Sequence, residues 1–228
     1  KNEKYLKLAN NSLDDIVDGI LFGDSKNIEK NSRLLKKYLN NEVFSTFMLF
    51  NSALVENNFY QSQKYLNVLE SLPKASYISK RGKVILYFKK KKIKDVKDLL
   101  INLCNEFPND EWFHDKLSRV YSLENEWKLA SQTISKIKCL SDDSREYSAN
   151  LKILSGDSPI SAINLSESSI PVVRENIKLY ISRSNLKKAS DLIRKTWLNL
   201  LCNELIEIFM LYKSEGEKDI LRRYKIIV

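Results

Sequence analysis

The sequence predicts an all-α fold in which pairs of helices stack one upon another as an α-solenoid. Gly occurs 5 times and Pro 4 times in 228 residues, far below their usual shares of about 7 % and 5 %. Sandwiches and barrels need many turns rich in these residues, so both classes are disfavoured. The hydrophobic share of 43 % is sufficient for a sizeable core, so we do not expect a disordered chain.

Evenly spaced polar turns set the repeat length. Each turn segment separates two apolar stretches, and the four segments are Gly23–Ile28, Asn57–Ser62, Lys91–Val96 and Asn125–Ala130. Their last residues lie 34 positions apart each time, which is the length of a tetratricopeptide helix–turn–helix unit. We therefore expect a tetratricopeptide-like solenoid.

Apolar and small residues recur at fixed positions of the 34-residue unit. We number each unit so that the last residue of its turn segment is position 20. Position 24 then holds Ser32, Leu66, Leu100 and Ile134, and position 27 holds Leu35, Leu69, Leu103 and Ile137. Position 8, on the first helix, holds Ile16, Phe50, Val84 and Ser118, where the tetratricopeptide consensus has Gly or Ala. Positions 20, 24 and 27 share one helical face, which stacked pairs can bury and a lone pair cannot.

The interval between turns shortens after residue 140. Further turns are predicted at Ser155–Ala162 and Arg183–Ala189, at spacings other than 34, and a further pair is predicted to begin at Ser214–Ile220. Because no Gly/Ser-rich linker divides the chain, we expect one domain over residues 1–228, with regular units over about 9–142 and irregular units over 143–228. The prediction is about six helix pairs in a right-handed superhelix, with a concave surface lined by first helices.

The first helices are expected to line a groove that binds another protein or a peptide. Positions 2, 5, 9 and 12 of a tetratricopeptide unit face the concave surface. The candidate groove residues of the second to fourth units are Phe44, Phe47, Asn51, Ile78, Arg81, Ile85, Phe88, Trp112, Asp115 and Arg119. This mixture suits a hydrophobic peptide or helix that carries one acidic group. The alternative is that the solenoid's own helices fill the groove.

The net charge of +9 would suit an acidic partner. Of 38 basic residues only 9 are Arg, the residue that sequence-reading nucleic-acid sites favour. A basic α-solenoid that binds nucleic acid is therefore the alternative function rather than the leading one. The densest run, Lys89, Lys90, Lys91 and Lys92, falls on a predicted turn. We expect it to make at most a weak contact with an anionic membrane surface.

Catalytic and cofactor-binding patterns do not stand out in the sequence. Cys104, Cys139 and Cys202 are odd in number and widely spaced, and His114 is the single histidine, so neither a zinc site nor an axial haem ligand is predicted. The sequence has no phosphate-binding or dinucleotide-binding glycine motif. We expect a protein that is not an enzyme and has no cofactor or metal.

Several short motifs carry a family resemblance. They are Arg81-Gly82 at the opening of the third unit, Pro108 followed by Trp112, and Asn125-Glu126-Trp127 followed by Ala130. Together they resemble the tetratricopeptide region of the HemY-like inner-membrane proteins of alphaproteobacteria. The later stretch KTWLNLLCNELIEIFMLY, followed by Arg222-Arg223, is similar to the family's Trp…Pro-His-Pro…Leu segment, but has Leu201-Cys202-Asn203 in the Pro-His-Pro place.

The resemblance implies a location and a biological role. Members of this family have two transmembrane helices upstream of the repeats, so it implies a repeat region at the cytoplasmic face of a bacterial inner membrane. The tether would be an N-terminal segment absent from this chain, which begins at Lys1. The resemblance also implies a link to haem biosynthesis and no catalytic residues. The expected function is a non-enzymatic protein–protein interaction scaffold.

Overall fold

The computed structural model of the chain describes residues 2–39, 41–200 and 202–227. Leu201, the first residue of the segment that stands in the family's Pro-His-Pro place, lies outside the described part. Within that part there are fourteen helices and no strand. The helices are α1 (Asn2–Phe22), α2 (Ser25–Leu39), α3 (Glu42–Val55), α4 (Phe59–Ser71), α5 (Ser76–Lys89), α6 (Ile93–Glu106), α7 (Glu111–Leu123), α8 (Trp127–Ile134), α9 (Asp142–Leu154), α10 (Pro159–Ile163), α11 (Ile170–Ser182), α12 (Leu186–Leu200), α13 (Asn203–Leu211) and α14 (Glu217–Ile227). The all-α prediction is confirmed.

Consecutive helices pair, and the described part of the chain contains seven pairs. The expected number of about six was one too low. Helices α8 and α10 have only 8 and 5 residues. Pairs that contain such short second helices take up fewer than 34 residues. The chain after residue 125 therefore holds more pairs than a regular 34-residue repeat would. The arrangement is compatible with an α-solenoid.

The turn within each pair has a residue in the left-handed region. These residues are Gly23, Asn57, Lys91, Asn125, Gly156, Ser184 and Lys213, with φ between 50° and 82°. At the first six turns the amide of the following residue donates to the carbonyl oxygen five residues earlier, at 2.8–3.0 Å. This is the Schellman hydrogen bond, which ends a helix by using one of its free carbonyl groups. The sequence pattern therefore located the first six turns correctly. The segment Ser214–Ile220, predicted to begin a further pair, instead follows the turn at Lys213 and leads into α14, the second helix of the last pair.

The chain divides into two compact units, Lys1–Leu99 and Leu100–Val228, with the boundary inside α6. In each unit the first helices of neighbouring pairs also touch each other, α1 with α3 and α3 with α5 in the first unit, α9 with α11 and α11 with α13 in the second. The first helices thus form one layer within each unit, which we call the inner layer because the predicted groove residues lie on it. A single solenoid over the whole chain stays a prediction.

In the first unit, the residues at positions 8, 20 and 24 form the contact between layers. At most 2 % of the side chain is exposed for each of them: Ile16, Phe50, Val84, Ile28, Ser62, Val96, Ser32 and Leu66. Ser32 satisfies its hydroxyl by donating to the carbonyl of Ile28 at 2.6 Å. Gly82 permits a close approach, because a Cβ there would stand 3.2 Å from Leu66 Cδ1. The 34-residue pattern thus predicted this core.

In the second unit, the same positions are buried where the interval is regular, at Leu100, Ser118, Ala130 and Ile134. Beyond the regular interval a cluster of eight buried residues lies among α11, α12 and α13. Its buried members are Val173, Ile177, Ile181, Ala189, Leu192, Ile193, Leu205 and Phe209. The last pairs therefore have a core of their own although they depart from the repeat length.

Candidate functional site

The inner layer of the first unit presents the predicted groove residues on α3 and α5. All seven of them are half-buried: Phe44, Phe47, Asn51, Ile78, Arg81, Ile85 and Phe88. They are therefore neither sealed in the core nor extended into solvent. Half-buried apolar side chains on a rigid layer are the usual lining of a binding cleft. The structure thus leaves this surface available for an apolar ligand, although binding itself stays a prediction.

The aromatic side chains of α3 are held in place by the core beneath them. Phe47 stacks on the fully buried Phe50, with ring centroids 6.0 Å apart and planes inclined by 17°. Phe44 packs against the cluster that contains Ile16 and Ile28. The side-chain amide of Asn51 donates a hydrogen bond to the carbonyl oxygen of Phe47, at 3.0 Å. These rings lose little further freedom when a ligand covers them, which favours binding.

Helix α1 adds three apolar residues that the sequence analysis did not predict. Val17 and Ile20 stand at positions 9 and 12 of the first unit and are 53 % and 45 % exposed. Leu13, at position 5, is half-buried against the core of α1, α2 and α3. Extending the same register to the first unit would have found all three. The inner layer of the first unit is consequently apolar across α1, α3 and α5.

On α5 the groove residues flank a cation–π contact. The guanidinium carbon of Arg81 lies 4.9 Å from the ring centroid of Tyr77. Ile85, one turn further along, packs against the buried cluster that includes Phe50 and Leu86. Arg81 thus brings a positive charge to the edge of an otherwise apolar surface.

The three predicted groove residues of the second unit lie on α7, where Asp115 and Arg119 belong to a charged cluster. Asp115 accepts from Lys116 at 2.9 Å and from Arg119 Nε at 3.1 Å. Burial raises the pKa of Asp115, but the hydrogen bonds and charges of Lys116 and Arg119 outweigh it and hold that pKa below its ordinary value of 3.8. Trp112 meets Phe113 edge-on, with centroids 5.4 Å apart. Asp115 and Arg119 are thus brought together by ion pairing, whereas Trp112 packs on Phe113.

Tyr147 of α9 belongs to this cluster and was not predicted. Its ring lies 4.8 Å from the guanidinium carbon of Arg119, and its hydroxyl is 2.6 Å from Ser122 Oγ and 3.3 Å from Ser118 Oγ. These contacts join the first helices of two pairs. No signal in the 34-residue pattern pointed to Tyr147, because the interval has already changed where α9 begins.

The lysine run forms the turn between α5 and α6, as the repeat predicts. Lys91 is the left-handed residue, with φ of 56°, and the amide of Lys92 donates to the carbonyl of Tyr87 at 3.0 Å. Lys90 Nζ reaches Gln63 Oε1 at 3.5 Å, and Lys92 Nζ lies 3.4 Å from Asp95. Lys89, Lys91 and Lys92 are exposed. Positive charge is therefore concentrated at one turn of the first unit.

Histidine and the cysteines occupy separate environments. His114 is buried, and its Nε2 lies 3.0 Å from the carbonyl oxygen of Pro108. Cys104 is buried and Cys139 exposed; burial raises the pKa of the Cys104 thiol to about 11. Among the described residues no group of three His, Cys, Asp or Glu could hold a metal ion. The hydrogen bond to the preceding loop holds His114 through Nε2, whereas its buried Nδ1 has no hydrogen-bond partner among the described residues.

Comparisons with known proteins do not assign a family. No protein-family model matches the chain, and no curated protein matches it. None of the helices in the described part is both long and apolar enough to cross a membrane. The HemY-like resemblance therefore continues to depend on its short motifs.

Proposed function

We propose that the chain is a non-enzymatic scaffold of tetratricopeptide type, a right-handed superhelix that binds another protein through its inner layer. The observation that carries this proposal is the apolar inner layer of the first unit. It displays half-buried rings from α3 beside exposed aliphatic side chains from α1. A layer of this kind accepts the apolar face of an amphipathic helix, or an extended apolar peptide.

The ligand is expected to engage Ile20 and Phe47. Ile20 is exposed, and Phe47 is supported from below by Phe50. An amphipathic helix would place residues at i, i+3/i+4 and i+7 along the surface, and its polar side would remain in water. Ion pairs would add little to the affinity on the first unit, so binding there should depend weakly on salt.

A panel of amphipathic helical peptides, titrated against the chain by calorimetry, tests this function. Ile20→Asp should abolish binding without unfolding the chain, since Ile20 is 45 % exposed. Val68→Asp on α4 is the matched control, because Val68 is 43 % exposed but belongs to a second helix, and it should bind normally. If the chain instead binds single-stranded oligonucleotides with steep salt dependence, and Ile20→Asp has no effect, the nucleic-acid alternative replaces this proposal.

The proposed cellular setting is the cytoplasmic face of a bacterial inner membrane, with a tether outside this chain and a role linked to haem biosynthesis. What supports it is the resemblance carried by Arg81-Gly82, by Pro108 with Trp112, and by Trp127 with Ala130. Fractionation of cells that express the full-length gene should recover the protein with the inner membrane. Deletion of the gene should cause a porphyrin precursor to accumulate. A protein in the soluble fraction, and unchanged porphyrins, would contradict this setting.

A second binding function, contact with an anionic surface, is favoured by the turn at Lys91 and Lys92. The corresponding turns use Gly23 with Asp24 and Asn57 with Asn58, residues that suit a left-handed position and a helix N-cap. Lysine is less suited than Gly or Asn to a left-handed position and to a helix N-cap, so the requirements of the turn do not explain the run of lysines.

The test is co-sedimentation with liposomes that contain phosphatidylserine. Replacing Lys89 to Lys92 with Ser should reduce co-sedimentation and leave peptide binding intact. A parallel titration with a single-stranded oligonucleotide separates lipid from nucleic acid. Unchanged co-sedimentation of the variant would remove this function from consideration.

A further inference from the structure

We propose that copies of this chain associate with one another through α1 of one copy and α14 of the next. This association goes beyond the binding of a peptide at the inner layer and does not depend on it. Two exposed helical stripes carry the inference, because they share one spacing and have opposite charges.

The first stripe lies on α1 and consists of Asp14, Val17, Asp18 and Leu21; we call it the acidic stripe. Its members follow each other at i, i+3, i+4 and i+7, so they share one helical face. All are exposed, Val17 at 53 % and Leu21 at 72 %. The other side of the helix is occupied, since a Cβ at Gly19 would stand 2.7 Å from Ile28 Cγ1 of α2. The acidic stripe thus faces away from the core.

Local charge makes the acidic stripe unusual for this chain. The net charge of the whole is +9, yet residues 8–25 contain four aspartates and no lysine or arginine. Val17 and Leu21 are exposed among these carboxylates, in a chain whose net charge is positive. An acidic rim around an apolar centre suits a partner with a basic rim.

Such a partner surface exists on α14 and consists of Lys218, Leu221, Arg222 and Lys225; we call it the basic stripe. The spacing is again i, i+3, i+4 and i+7, with the apolar residue at i+3 as on α1. All four are exposed, and Leu221 is 56 % exposed. Arg223 fixes the orientation of the helix, because it is 3 % exposed and its guanidinium donates to the carbonyls of Phe209 and Tyr212.

The two stripes complement each other as surfaces of two copies. Leu221 of one copy can pack on Val17 and Leu21 of another, while the carboxylates lie beside the basic side chains. Pairing of α1 with α1, or of α14 with α14, would set like charges against each other and is disfavoured. The contact is therefore between two different surfaces, which lets each copy engage two neighbours.

Sedimentation velocity of the 228-residue chain over a range of concentrations tests this association. At low ionic strength the weight-average mass should rise with concentration, and at high ionic strength it should return to that of a monomer, because exposed charges are then screened. A chain that stays monomeric at low ionic strength and high concentration overturns the proposal.

Charge-reversed variants identify the surfaces. Asp14→Lys with Asp18→Lys, and separately Lys218→Glu with Lys225→Glu, should each be monomeric when alone. Mixed together they should associate again, because the unaltered basic stripe of the first variant meets the unaltered acidic stripe of the second, and the two reversed stripes are complementary as well. Asp15→Lys, on the same helix but outside the stripe, is the matched control and should associate normally. Circular dichroism checks that every variant is folded. We expect each to fold, because all the substituted positions are exposed.

The mixing experiment is decisive in both directions. Recovery of association in the mixture supports contact between the two stripes and cannot arise from a general change in net charge. Association that persists in each variant alone would locate the contact elsewhere, and loss of association without recovery in the mixture would show that the stripes do not meet each other. Val17 belongs both to the inner layer and to the acidic stripe, so a second copy docked on α1 would compete with a peptide there. The charge-reversed variants keep Val17 and Ile20, and as monomers they should still bind the peptide. Loss of association with retained peptide binding therefore separates the two proposals.

Discussion

Arg223 donates from Nη1 to the carbonyl oxygen of Phe209 at 2.8 Å. At the other six turns a backbone amide makes the corresponding hydrogen bond to the helix end. At this seventh turn the amide of Ser214 donates to Leu211 instead, at 3.2 Å, so a side chain replaces the backbone donor. The same guanidinium also reaches the carbonyls of Tyr212 and Lys213 and the carboxylate of Asp219. A single arginine therefore ends α13 and anchors α14.

The exchange of Arg223 for methionine should be the most costly change at this turn. It leaves the buried carbonyl group of Phe209 and the partly buried one of Tyr212 without this donor, and Asp219 keeps only the amide of Glu215 as a donor among the described residues. We expect a loss of about 3 kcal/mol in the free energy of unfolding. Urea denaturation followed by circular dichroism measures it. The matched control is Arg222→Met, since Arg222 is exposed and should change stability by less than about 0.5 kcal/mol. Equal losses for the two variants would contradict the role of Arg223.

The double variant Lys91→Asn, Lys92→Asn should stabilise the chain. It copies the turn at Asn57 and Asn58, where the side chain of Asn58 accepts from the amide of Gln61 at 3.1 Å. Asparagine tolerates the left-handed region and is a good N-cap, so we expect a gain of about 1–2 kcal/mol. Thermal unfolding measures it, and the converse variant Asn57→Lys, Asn58→Lys should lose a similar amount. A neutral result would mean that the lysines are at no local disadvantage.

The reactivity of the thiols should follow their burial. Cys139 is exposed, whereas Cys104 is buried and has its pKa raised to about 11. Because the thiolate is the reactive form, an alkylating reagent at mildly alkaline pH should modify Cys139 rapidly and Cys104 only after denaturation. Mass spectrometry of peptides after timed quenching measures both. Rapid labelling of Cys104 in the folded chain would show that α6 opens readily.

Acid should remove the contribution of Asp115. Its pKa in the folded chain lies below the ordinary 3.8, so the folded state binds the proton less readily than the unfolded state. The stabilisation is complete above the pKa of Asp115 in the unfolded state. It is lost as the pH falls through the pKa of Asp115 in the folded state. Asp115→Asn should therefore cost up to about 1 kcal/mol near neutral pH. The difference from the original chain should disappear in acid. Urea titrations at several pH values measure this, and a difference that grows in acid would reverse the assignment.

Local signals in the sequence were sufficient for the turns and for much of the core. A turn needs only a few neighbouring residues, and positions 8, 20 and 24 recur at fixed distances from it. The seventh pair was missed because α8 and α10 are shorter than a regular second helix, and helix length after a turn depends on packing. Arg223 and Tyr147 were missed because their partners are far away in sequence: Phe209 lies 14 residues before Arg223, and Ser118 lies 29 residues before Tyr147. Hydrogen bonds between residues so far apart in sequence produce no repeating pattern that a sequence analysis could detect.

The neighbour-to-neighbour packing of the helices has a consequence for the rate of folding. Within each unit the helices that touch are at most two positions apart along the chain, so contacts form between segments that are close in sequence. Closing short loops costs little entropy, and chains with such local contacts fold in microseconds to milliseconds. Opening can equally begin at one pair and spread to the next. The protein is thus expected to respond to denaturant by progressive loss of helix pairs.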